Sequence, residues 1–435
     1  MEKVIGIRRE DKNEWERRTP LIPEDVRWLQ EQFGIQVVLQ PSTIRIHPDE
    51  EYARLGAVVN EDLNRASVIF AIKEIPEHAF QKGKTYVFFS HTIKGQKHNL
   101  PMLRKMTELG CNLIDYERIV DEQNQRLIFF GPFAGLAGMI ETLHAFGEKL
   151  KKRGTDTPFA RIRHAYEYSS LEEAKTEIGK IGEAIADSGF PAELAPLVVG
   201  FAGYGHVSRG AQEIFDLFPH KMLSAEAMRE MVENFASDQW TLYKVVFRED
   251  DLVRPREGIF DLDEYYRHPE KYESKFAGYL PYLTILVNGI FWSAEYPRLV
   301  TREYLRDGDL LGSSLNLQVI GDISCDIGGS IEINCRSTTP AAPCYTYFPD
   351  SDLYREGVSR LGVTVMAVDN LPCEFPREAS TSFSKALRDF VGEIVAADFT
   401  QEWGQIRLSR PIKKAVILYR GRFAPDYEYM KKFLP

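Results

Sequence analysis

Over its first ~115 residues the chain alternates short apolar runs with amphipathic stretches that close on glycine, and this alternation constrains the fold more than any other feature. The candidate strands are Val4–Ile7, Gln36–Leu39, Val68–Ile72, Thr85–Phe89 and Asn112–Ile114. Between them lie PEDVRWLQEQFG and PMLRKMTELG, each ending in the glycine that a helix C-terminus favours. Strand–helix alternation predicts an α/β fold with a mainly parallel sheet. In such a sheet every strand's C-terminal end falls on one edge, where open α/β sheets bind ligands.

That edge gathers charge. Lys73 closes one apolar run and His91 the next, 18 residues later, so the two share one rim. Arg8 and Arg9 end the first strand, and Arg17 and Arg18 lie just beyond it. Singly, each has a plain structural explanation: a solvated lysine, a hydrogen-bonded histidine, surface arginines. Their convergence carries the functional reading. Hydride transfer to a keto acid needs a fixed cation for the carboxylate, best supplied by the arginine fork. It also needs a group that polarises the carbonyl and exchanges protons, which a desolvated lysine or a histidine provides. Glu74 and Glu117 are placed to tune those groups.

A second signal is LVVGFAGYGHVSRGAQEIFDLF, which reads as strand, turn, helix. Gly203 and Gly205 form G-x-G directly after the strand, Ser208 holds the third position, and Gly210 and Ala211 follow. The first glycine permits the tight turn, and the second lets a pyrophosphate approach the backbone. Amides at the helix start then hold the phosphates. The plain alternative is a tight turn without a ligand. Folds that prefer NAD carry an acid about 20 residues on, at the end of the second strand. Here that stretch is PHKMLSAEAM, with Ser224 at the expected place, Lys221 near it and Glu226 slightly late. This favours NADP, and a shift of one turn would bring Glu226 and NAD into play. In VIGDISCDIGGSIE, Asp322, Asp326, Gly328 and Gly329 read either as a turn or as a group beside the nicotinamide. In VDNLPCEFP, Asn370 offers an amide to substrate or cofactor.

A chain of 435 residues predicts two domains. FAGLAGMIETLHAFGEKLKKRG is a candidate connecting helix, and a second α/β pattern starts at Pro196. Residues 237–278 read as an aromatic, charged insertion. The start has no signal-peptide pattern and no window reaches ~18 uninterrupted apolar residues, so membrane spanning and secretion are not expected. Five scattered cysteines lack zinc-site spacing and fit reduced thiols in a cytoplasm, with no metal. A net charge of −10 argues against nucleic acid.

These residues resemble the alanine dehydrogenase and transhydrogenase superfamily. The resemblance lies in E-x-R (Glu16, Arg18), K-E-x-P (Lys73, Glu74, Pro76), the following His91, the aspartate before a glycine pair (Asp326, Gly328, Gly329) and N-L-P (Asn370, Leu371, Pro372). More closely, RREDKNEWERRTPLIP, YVFFSHTIKGQ, GPFAGLAGMI, VSRGAQEIF, NGIFW, DISCDIGGSIE and DNLPCEFPREAS look like blocks of the lysine–ketoglutarate reductase half of aminoadipic semialdehyde synthases. The saccharopine-cleaving half of those enzymes has no counterpart, so a free-standing reductase is expected. The resemblance implies two Rossmann-like parallel-sheet domains with an active-site cleft between them. Residues 1–135 plus 340–435 are expected to form the substrate domain, with a dinucleotide domain, 136–339, inserted into it. It implies reductive condensation of L-lysine with 2-oxoglutarate to saccharopine with NADP, NAD being the alternative cofactor. The competing functions are an alanine dehydrogenase-like enzyme using ammonia, and a non-catalytic dinucleotide or lysine sensor. A homo-oligomer is compatible with all three. The expected catalytic residues are Lys73 and His91. Arg18, Glu16, Lys12, Glu74, Glu117 and Asn370 are expected to bind substrate. Gly203, Tyr204, Gly205, His206, Val207, Ser224, Asn288 and Asp326 are expected to bind cofactor.

Overall fold

The computed structural model describes residues 3–234, 238–310 and 316–434. In chain order its strands are β1 Val4–Ile7, β2 Gln36–Leu39, β3 Val58–Val59, β4 Val68–Phe70, β5 Thr85–Phe88, β6 Asn112–Asp115, β7 Val198–Ala202, β8 His220–Leu223, β9 Leu242–Phe247, β10 Val253–Pro255, β11 Tyr272–Ser274, β12 Ile285–Asn288, β13 Val319–Asp322, β14 Cys344–Phe348, β15 Leu353–Glu356, β16 Val363–Met366, β17 Val416–Tyr419 and β18 Arg422–Phe423. The chain divides into two units, Met1–Phe130 with Pro376–Pro435, and Gly131–Phe375.

The first unit is built on a sheet of order β18-β17-β6-β5-β4-β1-β2-β3. Pairing is parallel from β6 to β3, and β17 adds antiparallel to β6. Every residue of β1, β4, β5 and β6 is buried, as expected of parallel strands covered on both faces. Helix Pro23–Phe33 starts on proline, carries Glu24 and Asp25 in its first turn, and stops at Gly34 with φ 63°. The returning helix Pro376–Ala396 is tied to the N-terminal segment by hydrogen bonds. Ser380 and Ser384 accept from the amides of Thr19 and Ile22 at 3.0 and 2.9 Å, and Arg388 pairs with Asp25 at 2.8 Å.

The second unit has the order β15-β14-β16-β13-β12-β7-β9-β8, parallel from β16 to β8. Two boundaries differ from the sequence expectation. Residues 340–375, expected in the first unit, supply β14, β15 and β16, which extend this sheet from β13. The stretch read as an insertion, 237–278, contains β9, a strand inside the sheet (its first residue, Ser237, lies outside the described residues). Lys244 interrupts the apolar run of β9 and masks it. Its side chain is buried, with the ammonium 2.5 Å from Asp216 and 5.9 Å from the Phe201 ring centroid. The true excursion is the β10–β11 hairpin and the helical turns around it, between β9 and β12.

Helix Gly131–Arg153 crosses helix His206–Phe215 at backbone contact. A Cβ at Gly210 would lie 2.2 Å from the Pro132 carbonyl oxygen, and one at Gly135 1.9 Å from that of Val207. Gly210→Val is therefore expected to destabilise by about 2–3 kcal/mol or to prevent folding. Gly179→Ala, in a helix with nothing within 4 Å of the new methyl, is expected to hold or raise the melting temperature. Thermal unfolding of both variants checks this, and an unshifted Gly210→Val would contradict the close approach.

Candidate active site

Parallel register brings the predicted pair together at the C-terminal edge of the first sheet. The Phe89 amide donates to the Ile72 carbonyl at 3.0 Å, two residues past the end of β4. Lys73 and His91 therefore leave the sheet from neighbouring chains. His91 has φ 46° and its ring lies near-parallel to Phe89. Its backbone is pinned from behind: Asn99 donates to the carbonyls of Ser90 and His91 at 3.2 and 3.0 Å, and the Ser90 hydroxyl bonds buried Asp115.

Four charged side chains surround this pair. Arg18 and Glu16 form a two-pronged ion pair, Nε–Oε1 2.7 Å and Nη2–Oε2 2.5 Å, and are only 3% and 1% exposed. The Arg18 guanidinium lies 4.2 Å from the Phe130 ring centroid. Glu74 bridges His91 Nδ1 at 2.7 Å and Lys12 Nζ at 2.8 Å. Burial alone would raise both carboxyls. For Glu16 the charge and hydrogen bond of Arg18 win, and for Glu74 those of His91 and Lys12 win, so both lie below the usual range. Burial lowers the Lys73 pKa, Arg18 and Lys12 push the same way, and Glu16 and Glu74 oppose. The arrangement is a lysine poised to lose its proton beside a histidine backed by a carboxylate.

Glu10 was not singled out in the sequence, where it sits in an ordinary-looking RRED. It is 7% exposed and its two oxygens accept the amides of Ile72 and Lys73 at 2.6 and 3.0 Å. It fixes the backbone that aims Lys73. Burial, then the nearby Glu16, push its carboxyl up to about 7. The other rim arginines are committed: Arg8 to Asp11, and Arg9 to Glu61 at 2.7 and 2.6 Å. Glu117 turns to Arg126 at 2.6 Å.

In the second unit, Gly203 follows β7 with φ 92°, a conformation that favours glycine. A Cβ at Gly205 would stand in open space, and no side chain caps helix His206–Phe215, whose first residues are His206 and Val207. A glycine turn running into an uncapped helix start suits the diphosphate of a nicotinamide dinucleotide. Tyr204, between the two glycines, is partly exposed. Ser224 follows the outermost strand, β8, and caps helix Ala225–Glu233 by accepting the Ala227 amide at 3.1 Å. Asn288 is fully buried and donates to Asp322 at 2.8 Å and Ser330 at 2.9 Å. Asp326 is exposed in the loop after β13, its carbonyl accepting the Gly329 amide at 2.8 Å. Asn370 is buried and its carbonyl accepts the Cys373 amide at 2.9 Å.

Fold and rim together define an α/β protein of the pyridine-nucleotide-binding kind. The alanine dehydrogenase/PNT N-terminal domain model matches residues 6–137, and the C-terminal domain model matches residues 273–425. The two take in more than half of the chain, which belongs to the alanine dehydrogenase/PNT family. It shares its fold with a solved L-alanine dehydrogenase, 16% identical with TM-score 0.63, over 99% of this chain and 100% of that one. It also shares it with a transhydrogenase from Sinorhizobium meliloti, 16% identical with TM-score 0.55, over 97% and 99%. It is 36% identical over 443 residues to the mitochondrial alpha-aminoadipic semialdehyde synthase of Bos taurus, covering 99% of this chain and 48% of that protein. Against the Arabidopsis thaliana synthase it is 37% identical over 446 residues, covering 99% and 41%. The chain thus spans about half the length of these curated relatives. It is 25% identical over 411 residues to the NAD(+), L-lysine-forming saccharopine dehydrogenase of Emericella nidulans, covering 90% and 92%. Among the described residues no helix is long and apolar enough to cross a membrane, and no cluster of metal ligands is found.

The Glu10 geometry makes a pH prediction. Its folded pKa of about 7 lies above its ordinary 4.5, so folding favours the protonated form. The stability this contributes is fully present below pH 4.5 and is lost as pH rises through about 7. Wild type is expected to lose stability relative to Glu10→Gln between about pH 5 and about pH 8. Denaturant unfolding at the two pH values measures this. Identical pH dependence in both proteins would mean that the Glu10 carboxyl does not titrate as the burial implies.

Proposed function

We propose that this chain is an oxidoreductase acting on CH–NH groups, and that it reductively condenses L-lysine with 2-oxoglutarate to saccharopine using NADPH. The observation that carries this reading is the pairing of Lys73 with the Glu74-backed His91 on adjacent strand ends, beside the buried Arg18. The similarity to an L-lysine-forming saccharopine dehydrogenase and to the synthases supports lysine and saccharopine as reactant and product.

The lysine ε-amine attacks C2 of the keto acid, and the carbinolamine loses water to give an imine. A dihydronicotinamide, when bound, would supply the hydride for the carbon of the protonated imine, whose nitrogen already carries the proton of the product amine. Lys73, with its lowered pKa, accepts the proton released as the amine adds. His91, oriented through Nδ1 by Glu74, delivers the proton that lets hydroxide leave as water. Glu16 holds the plane of Arg18, which presents donors to a substrate carboxylate. Lys12 and Glu74 keep local charge balanced through both proton transfers. Within the second unit, Asp326 is read as a contact on the nicotinamide side. The five cysteines, scattered along the sequence without zinc-site spacing, fit reduced thiols in a compartment such as the cytoplasm.

A substrate matrix tests the reading. The purified chain is offered NADPH or NADH, with 2-oxoglutarate plus lysine in one set and pyruvate plus ammonia in another. Dinucleotide oxidation with the first pair is expected. Turnover with the second pair alone would make it an amino-acid dehydrogenase, and turnover with neither would leave a binding protein. Lys73→Met and His91→Gln are each expected to lower kcat about 10²-fold or more at unchanged melting temperature. Rates within a few-fold of wild type would remove the acid–base assignment.

A further inference from the structure

In a dinucleotide-binding sheet, the group at the end of the strand beside the glycine loop meets the adenosine ribose. Chain order makes β8 the second strand of this sheet, yet the strand beside β7 is β9. The Gly203 amide donates to the Phe247 carbonyl at 3.1 Å, so the loop stays paired to β9 until both chains leave the sheet. The next residues are Tyr204 on one chain and Arg248 on the other. The Arg248 guanidinium lies over the Tyr204 ring, 5.1 Å from its centroid.

Arg248 is followed by Glu249, Asp250 and Asp251, but among the described residues it forms no ion pair. Glu249 Oε1 accepts from the hydroxyls of Tyr266 at 2.5 Å and Tyr204 at 3.4 Å. Asp251 accepts the backbone amide of Arg248 at 3.0 Å. The carboxylate that would hold ribose hydroxyls is thus engaged by phenols, and an arginine without a carboxylate partner is stacked beside the phosphate turn. Arginine meets a 2′-phosphate, whereas a carboxylate repels it. We propose that Arg248, stacked on Tyr204, selects the 2′-phosphate of NADPH over the 2′-hydroxyl of NADH. The assignment rests on the dinucleotide reading above. Tyr204 fixes the plane of the guanidinium, so its fork is organised before the phosphate arrives.

Equilibrium titration of the full chain with NADPH and with NADH tests this without substrate. Wild type is expected to bind NADPH at least about tenfold more tightly than NADH. Arg248→Ala is expected to weaken NADPH by about 10- to 100-fold while NADH changes less than about threefold, with Arg248→Lys between them. Arg248 is exposed, and an unchanged melting curve will show that the variants fold. Equal wild-type affinities, or a parallel loss of both cofactors in Arg248→Ala, would overturn the assignment. So would loss of NADH binding in Glu249→Gln with Arg248→Ala indifferent to NADPH. If wild type binds neither dinucleotide, this assignment and the proposed function fall together. If it binds NADPH through Arg248 yet turns over no substrate pair, the assignment stands and the lysine-condensing reading falls.

Discussion

A buried carboxylate must find an opposite charge or a set of N–H donors, and this requirement organises the edge of the first sheet. Three of the carboxylates at that edge are each satisfied differently. Glu10 takes two backbone amides, Glu16 takes Arg18, and Glu74 takes Lys12 and His91. The consequence falls on Lys73. Every neighbouring acid is committed to another group, and among the described residues no ion pair reaches its ammonium. Its nearest cationic influences are Arg18 and Lys12, so desolvation is opposed only by acids already spent elsewhere. A lysine in that position gives up its proton more readily than a surface lysine, without any dedicated base.

Much of this was legible in the sequence. The first sheet follows from apolar runs and glycine stops, because parallel strands buried on both faces read as continuous hydrophobic runs. Lys73, His91 and the glycine turn are strand-end residues, so once the strands are placed their edge is placed too. Glu10 was not legible. Its role depends on which amides its oxygens meet, and those belong to a strand 62 residues away in the chain. Likewise, strand position alone does not distinguish Arg9, committed to Glu61, from Arg18, committed to Glu16 and laid against Phe130; only the E-x-R resemblance does.

The second sheet shows how one residue can mislead. LYKVVF carries a charge in its middle, and a lysine in a central strand argues against burial. Here Asp216 and the face of Phe201 receive the ammonium, which makes the strand affordable. Missing that strand also hides Arg248, the residue to which we assign ribose recognition. Spacing alone leads to Ser224, at the end of an edge strand that caps the next helix. Pairing leads to Arg248, because hydrogen bonding between strands, not chain order, decides which residue stands beside the glycine turn.

The backbone of His91 carries the same logic into the first unit. A positive φ at a residue other than glycine costs on the order of 1 kcal/mol or more and persists only where surroundings over-determine it. Here Asn99 grips two consecutive carbonyls, Ser90 is held by Asp115 and Thr92, and the ring lies near-parallel to Phe89. In this left-handed turn the ring lies beside Phe89 with Nδ1 2.7 Å from Glu74 Oε1. With Nδ1 at Glu74, the opposite ring nitrogen is the one the proposed proton transfer would use. The left-handed backbone and the bonds that hold it keep the ring where Nδ1 meets Glu74, which is the geometry the proposed proton transfer uses.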